Sequence, residues 1–127
     1  MALTKVEADG INLADTFAFT GTVTRGGNGF FGDGQTWQDM ASSRAAGTYY
    51  TNSTGKPIMV FVIYTAGTNA DIDLAYTPAG GSEVTGVGLY TNSSNGRVSM
   101  SFVVPNGDQY KIVGSGNETE QQWLELR

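Results

Sequence analysis

Short stretches of alternating apolar and polar residues, separated by turn-forming residues, recur through most of this sequence and restrict the fold that it can adopt. From residue 35 onward they follow one another at the spacing of about 8–12 residues that is typical of sandwiches and barrels. Ile72, Leu74 and Tyr76 would share one face of a strand, and Asp71, Asp73 and Thr77 would share the other. Asn95-Gly96 and Asn106-Gly107 tolerate the positive φ angles of hairpin turns. The pattern predicts antiparallel strands and an all-β fold.

The composition is consistent with one compact domain that has many tight turns. The 127 residues are 39% hydrophobic and only 15% charged, which suits a single buried core. The 18 glycines favour turns over helix interiors, because glycine loses the most backbone entropy in a regular element. We therefore predict a jelly-roll-like antiparallel β-sandwich over residues 34–127.

Residues 1–33 differ from this domain. Residues 16–23 alternate at period two, which predicts one strand. The following residues 25–34 are rich in glycine and are predicted to form a linker. One short strand cannot build its own core, so we expect this N-terminal strand-bearing arm to pair with a partner protein or a sister subunit.

The absence of histidine and cysteine excludes several kinds of chemistry. A thiol nucleophile, a histidine base, a disulfide and a Cys/His zinc site all require one of these residues, and we predict no cofactor. A net charge of −5 and a pI near 4.4 disfavour binding to nucleic acid or anionic membranes. The longest apolar run, residues 58–64, is far shorter than the ~20 residues of a membrane-spanning helix. The N-terminus lacks signal-peptide features, so we expect synthesis in the cytoplasm.

Three further patterns are interpreted as structural. Gly27 to Gly32 matches G-x-G-x-x-G, but no helix follows it to hold a pyrophosphate, so it is assigned to the linker. Asp71 and Asp73 do not fit an EF-hand loop and are expected to solvate a strand face, with an irregular calcium site as the alternative. The carboxylates of Glu83, Glu118 and Glu120 could catalyse glycoside hydrolysis only if they faced one another across a cleft. A surface position is expected for all three.

The strongest strand signal, residues 58–63, has no polar face. In a sandwich with one wet side, such a strand would expose large apolar side chains unless another segment or a neighbouring subunit covered them. The candidate subunit-interface residues are Ile58, Val60, Phe61 and Val62.

Residues 50–56 and 90–97 both begin Tyr-Thr-Asn-Ser. Either they form equivalent loops at one end of the sandwich, or two hairpins acquired the same turn chemistry independently. Loops at the end of a rigid sandwich can vary without disturbing the core, and their polar and aromatic groups suit contacts with sugars. The candidate receptor-contact residues are Tyr50, Asn52, Tyr90 and Asn92.

Residues 34–64 resemble a module found near the C-terminus of tail-fibre and related virion structural proteins of tailed phages and prophages. The shared features are a Gln-Thr-Trp-Gln-Asp start, a Ser-Arg, a Tyr-Thr-Asn-x-Thr-Gly turn and then Pro-Ile. Residues 101–107 are similar to the module's Phe-Ile-Val-Pro-Pro-Gly turn, and residues 123–127 to its closing Trp-x-Glu-Leu.

This resemblance implies a non-enzymatic virion protein that assembles as a homotrimer and contacts other virion proteins through its N-terminal arm. Its expected role is that of a tail-fibre tip or receptor-binding module, with host cell-surface glycan as the candidate ligand and avidity supplied by three copies. A capsid decoration (cement) protein is the alternative, and the residues leave open whether the protein lies on the tail or the head. A small glycan-processing enzyme is a third alternative, which would depend on carboxylates alone for acid–base catalysis.

Overall fold

Two four-stranded antiparallel sheets face each other in the computed structural model, which describes residues 31–92 and 96–127. A short 3-10 turn, Ala41–Ser43, follows the first strand. The strands are β1 (Trp37–Asp39), β2 (Tyr50–Thr51), β3 (Ile58–Ala66), β4 (Ala70–Thr77), β5 (Val84–Thr91), β6 (Gly96–Val104), β7 (Gln109–Gly114) and β8 (Glu118–Leu126). The prediction of an all-β sandwich is confirmed. The predicted strand at residues 16–23 lies outside the described residues.

The strand order places β3 and β4 inside their sheets. The front sheet has the order β1-β8-β3-β6 and the back sheet has the order β2-β7-β4-β5. β3 pairs with β6 from Ile58 opposite Val104 to Ala66 opposite Gly96. The β-branched and aromatic residues of β3 suit a pleated strand. A shift of the strand pairing by one residue would turn the buried side chains of β3 to the outer face, so burial of one face specifies the register.

The core lies between the sheets and takes every second residue of β3. Ile58, Val60, Val62 and Tyr64 are buried there with side chains from both sheets, including Trp123. Each fully buried large apolar side chain contributes about 1.5–3 kcal/mol. The interface prediction for Ile58, Val60 and Val62 therefore needs correction, because alternation along the strand turns these side chains into the core of their own subunit and away from a second one.

The two ends of the sandwich differ in what they carry. At the near end, Gln35 Nε2 donates to the carbonyl oxygens of Pro57 and Leu126, at 2.8 and 3.1 Å, so the described chain begins beside the start of β3 and the end of β8. At the far end, Gly67 N donates to Asn117 O at 2.6 Å, which joins the β3–β4 and β7–β8 turns. The far end therefore consists of turns, whereas the described chain starts and stops at the near end.

This arrangement separates the two similar turns. Asn52 N donates to Asp108 O at 2.9 Å, which places residues 52–57 at the near end beside the β6–β7 turn. Asn92 follows β5, whose last residue, Thr91, pairs with Ala70 at the far end. The hypothesis that the turns are equivalent loops at one end of the sandwich is therefore wrong.

Candidate interaction surfaces

The outer face of the front sheet is largely apolar. Along β3, buried core residues alternate with the half-buried Met59, Phe61 and Ile63, which point away from the back sheet. The strand registers bring Leu126 and Val103 beside Met59. Trp37 and Val103 remain about half exposed, at 50% and 49%. The outward apolar side chains, which we call the apolar face, are Trp37, Met59, Phe61, Ile63, Val103, Leu124 and Leu126.

An apolar face of this kind is unusual on the wet side of an antiparallel sheet. Contiguous exposed apolar patches in soluble proteins commonly mark interaction sites. Of the four predicted interface residues, Phe61 alone lies on this face, and its role stays a prediction. Trp37 joins the face from the β1 side, opposite Leu126.

Opposite charges border the apolar face. Asp39 lies on β1 opposite Leu124, and its carboxylate accepts a hydrogen bond from Ala41 N at 3.0 Å. Arg97 lies on β6 opposite Thr65 and is exposed. Its guanidinium forms no ion pair with any residue that the structure describes. One border of the face is thus acidic and the other is basic.

A buried ionic network holds the segment after β1 against the core. Glu125 has no exposed surface, and its carboxylate accepts hydrogen bonds from Arg44 at 2.7 and 3.1 Å, from Arg127 at 2.8 Å and from the Tyr110 hydroxyl. Burial lowers the pKa of Arg44, but the hydrogen bonds and charges of Glu125 and Tyr110 outweigh it and raise that pKa. Burial, followed by the bond to Glu125, also raises the pKa of Tyr110. Sequence reasoning missed this network, although an acid two residues after the core residue Trp123 was a usable signal.

Tyr50 is a structural residue in this arrangement. Its ring is half-buried and packs at 5.9 Å from the rings of Tyr110 and Trp123. Its hydroxyl accepts a hydrogen bond from Ala45 N at 2.8 Å, and the Arg44 guanidinium lies 4.4 Å from the centre of its ring. The prediction that Tyr50 contacts a receptor therefore needs correction, because its ring and hydroxyl are engaged within the chain.

Asn52 is also structural. It is only 2% exposed, and its amide nitrogen donates to the carbonyl oxygens of Lys56 and Val104, both at 2.8 Å. Its Oδ1 accepts from the backbone nitrogen and the hydroxyl of Thr54, at 3.1 and 2.8 Å. These bonds shape the near-end turn, so the receptor-contact prediction for Asn52 also needs correction.

Tyr90 and Asn92 lie where a partner could reach them. Tyr90 is 66% exposed on the outer face of the back sheet, and its hydroxyl donates to Asn69 Oδ1 at 2.9 Å. Tyr90 pairs in register with Asp71, which is exposed beside it. Asn92 is exposed at the end of β5. We call Asn69, Asp71, Tyr90 and Asn92 the far-end surface, on which Tyr90 and Asn92 stay candidate contacts.

The other acidic residues are dispersed. Glu83 lies 3.9 Å from Lys111 Nζ, before the start of β5 at the near end. Glu118 opens β8 at the far end and accepts hydrogen bonds from the backbone nitrogens of Gly116 and Asn117. Among residues 31–92 and 96–127, no cluster of three acidic side chains could hold a metal ion. Within the same ranges, no helix is long or apolar enough to span a membrane.

Comparisons with known proteins returned nothing: no protein-family model, no curated protein and no solved structure matches this chain. Any functional interpretation therefore depends on the residues and surfaces described above.

Proposed function

We propose that this chain is a non-enzymatic virion structural protein of a tailed phage, with a jelly-roll-like sandwich that assembles as a homotrimer. Its proposed role is that of a tail-fibre tip or receptor-binding module that attaches to the bacterial surface. The proposal is supported by the resemblance of residues 34–64 to virion proteins and by one structural observation, namely that the apolar face is concentrated toward the near end whereas the exposed far-end surface lies at the other end of the sandwich.

The apolar face supports assembly because it is concentrated toward the near end. Trp37, Leu126, Met59 and Val103 form one row across all four strands of the front sheet, and all four are apolar. Farther along, the same face carries polar residues such as Ser99. A neighbouring copy seated on the apolar row would lie where the described chain begins, and the far-end turns would stay accessible.

The far-end surface supports attachment. Tyr90 offers an exposed ring of the kind that stacks on the apolar face of a sugar, and Asp71 and Asn92 offer hydrogen-bonding groups beside it. Tyr90 and Asp71 stand on strands of a rigid sheet, which limits the entropy that a binding surface loses on contact. Shallow contacts of this kind are weak singly, and three linked copies strengthen them by raising the effective concentration.

Immunogold labelling of intact virions tests the proposed location. An antibody raised against the purified chain should label the tail tip, and virions from a deletion of the gene provide the control. Label over the head would favour the capsid decoration alternative, for which the apolar face would serve as the docking surface. No specific label would overturn the virion proposal.

A further inference from the structure

The outer edge of β6 is the longest regular strand edge that residues 31–92 and 96–127 leave unpaired. β6 ends the front sheet and pairs with β3 over nine residues without a bulge. The other three edges are short or irregular: β1 and β2 have three and two residues, and β5 has a bulge in its pairing with β4. Short strands, bulges and charges usually protect an exposed edge. β6 has only one charge, Arg97, near its start.

The core is incompletely covered beside this edge. On the opposite side of the sandwich, residues 40–47 cross from β8 to β7 and close the space between the sheets. The inward side chains of β6 that pack against the core but remain half-buried are Val98, Met100 and Phe102. A strand added beside β6 would cover these side chains.

We propose that residues 16–23 of the same chain, which we call the arm segment, add to the outer edge of β6 as a further strand. The arm segment lies outside the described residues, and its sequence predicts one strand. This inference concerns how the N-terminal arm is held, and it does not depend on the proposed role in a virion. It narrows the expected partner of the arm to the sandwich of its own chain.

The apolar side of the arm segment fits the incompletely covered part of the core. Phe17 and Phe19 share one face of the predicted strand. Beside β6, this face would turn inward and place the two rings against Met100 and Phe102. Aromatic pairs across neighbouring strands are favourable, and so are contacts between a methionine sulfur and an aromatic ring. The two phenylalanines would therefore complete the core on this side.

The other side of the arm segment fits the outer face of β6. Ser99 and Ser101 point outward there and are exposed, and the arm segment has three threonines and one alanine on its other face. Threonine and serine side chains on neighbouring strands can form hydrogen bonds. Neither residues 16–23 nor residues 98–104 carry a charge, so the pairing would bury no ionised group.

The start of the described chain places the arm segment within reach of this edge. Gln35 lies at the near end beside Pro57, and β6 ends there too, where Val104 pairs with Ile58. Residues 24–34 can span up to about 36 Å at ~3.3 Å per residue, whereas a strand added to β6 lies about 14 Å from β8, three strand spacings away. A short tether gives a contact within one chain a millimolar effective concentration. At micromolar protein concentration, this favours the edge of the same chain over that of a neighbour.

Amide hydrogen exchange, measured by NMR on the full chain, tests the pairing. The amides of β6 that point away from β3 should exchange slowly in wild type, whereas the outward amides of β5 should exchange rapidly and serve as the internal reference. Phe19→Ser should accelerate exchange along β6 by at least about tenfold, because the buried ring is lost. Thr20→Ser, on the opposite face of the arm segment, is the matched control and should change exchange little. Slow exchange of the amides of β3 would establish that each variant is folded.

A cysteine cross-link identifies the chain that supplies the arm segment. The natural sequence has no cysteine, so Thr20→Cys together with Ser101→Cys introduces one thiol on the arm segment and one on the exposed outer face of β6. A short bis-maleimide should join the two thiols, and the product should keep the mass of one chain. Thr20→Cys with Gln121→Cys, which is exposed on β8, is the control pair and should link little.

The outcomes decide both the edge and the source of the arm segment. The proposal is wrong if the outward amides of β6 exchange rapidly in wild type, or if Phe19→Ser and Thr20→Ser have the same effect. Protection of the outward amides of β5 in place of those of β6 would assign the arm segment to the other sheet and overturn the proposal. Cross-linked dimers without a product of single-chain mass would show that a neighbouring copy supplies the strand, which would overturn the assignment to the same chain.

Discussion

Substitution of Glu125 by glutamine should destabilise the sandwich more than any other single loss of charge in the described residues. The Glu125 carboxylate is fully buried and neutralises the guanidinium groups of Arg44 and Arg127. Glutamine keeps the shape and one acceptor oxygen but removes the charge. Two arginines would then face a buried neutral amide, and Tyr110 would donate to a weaker acceptor.

The size of the effect follows from the exposure of the two arginines. Removal of one partner from a buried ion pair costs about 3–5 kcal/mol, since the remaining charge is left uncompensated. The side chains of Arg44 and Arg127 are 15% and 26% exposed, so water would recover part of their solvation. We therefore expect a loss near the lower limit, about 3 kcal/mol. With a urea slope of about 1.5 kcal/mol/M, the unfolding midpoint should fall by about 2 M.

Equilibrium urea unfolding at pH 7 measures this change, and Glu120→Gln is the matched control. Glu120 lies on the same strand and is half-buried. Burial raises its pKa, the Tyr64 hydroxyl opposes this increase, and the charge of Asp39 adds to it. The folded state thus binds the proton of Glu120 more readily than the unfolded state, so its charge opposes folding at pH 7. Glu120→Gln should leave the midpoint unchanged or raise it slightly. A loss below about 1 kcal/mol for Glu125→Gln would refute the reasoning.

Three further predictions concern the same sandwich. Asn52→Ala should lower the free energy of unfolding by about 2–3 kcal/mol, because it removes the bonds that the buried amide makes to the near-end turn; a urea midpoint equal to that of wild type would contradict this role. Burial and a hydrogen bond to Asp108 raise the pKa of Tyr76 to about 12, and burial also raises the pKa of Tyr64 and of Tyr110. The free energy of unfolding should therefore be unaffected by these tyrosines below about pH 10, where tyrosine in the unfolded chain begins to ionise, and should fall above that pH. Ultraviolet titration of the folded protein would contradict this prediction if these tyrosines ionised near pH 10. Because the chain has no histidine, sedimentation and circular dichroism should change little between about pH 6.5 and 8, and a sharp transition near pH 7 would count against this expectation.

Most of the strand pattern could be predicted from sequence because it depends on local alternation. Ile72 and Leu74 are buried while Asp71 and Asp73 lie on the opposite face, as the alternation predicts. Ala75 is also buried although it shares the outer face of β4 with Asp73, and β5 has a bulge beside it, because Val87 and Thr85 pair with Leu74 and Ala75. A bulge of this kind depends on the partner strand, so the sequence of β4 alone could not reveal it.

The candidate contacts could be predicted only in part, because exposure depends on strand order. Tyr50 and Tyr90 occupy equivalent places in similar sequences, yet one packs against Trp123 and the other is exposed. Asn52 is buried because its amide reaches Val104, which lies 52 residues away in sequence. Such long-range partners leave no local signal, so the sequence could not distinguish a structural asparagine from an exposed one.

The apolar face illustrates the same limit. The sequence indicated that residues 58–63 have two apolar faces, but only the pairing of β3 with β6 and β8 identifies Phe61 as outward and Val60 as inward. The contributions of Trp37 and Leu126 depend on the pairing of β1 with β8. This pairing joins the first and the last strand of the domain, which are far apart in sequence.

Competition for host adsorption tests the proposed attachment role most directly. Purified wild-type protein, added to host cells before the tailed phage proposed to carry it, should reduce adsorption in a dose-dependent manner. Tyr90→Ala should compete at least tenfold less well, a loss of about 1.4 kcal/mol in binding free energy, while Tyr49→Ala, which removes another exposed tyrosine, should compete like wild type. If the wild-type protein does not compete, the proposed function is contradicted. If Tyr90→Ala competes equally well, the far-end surface is not the attachment surface.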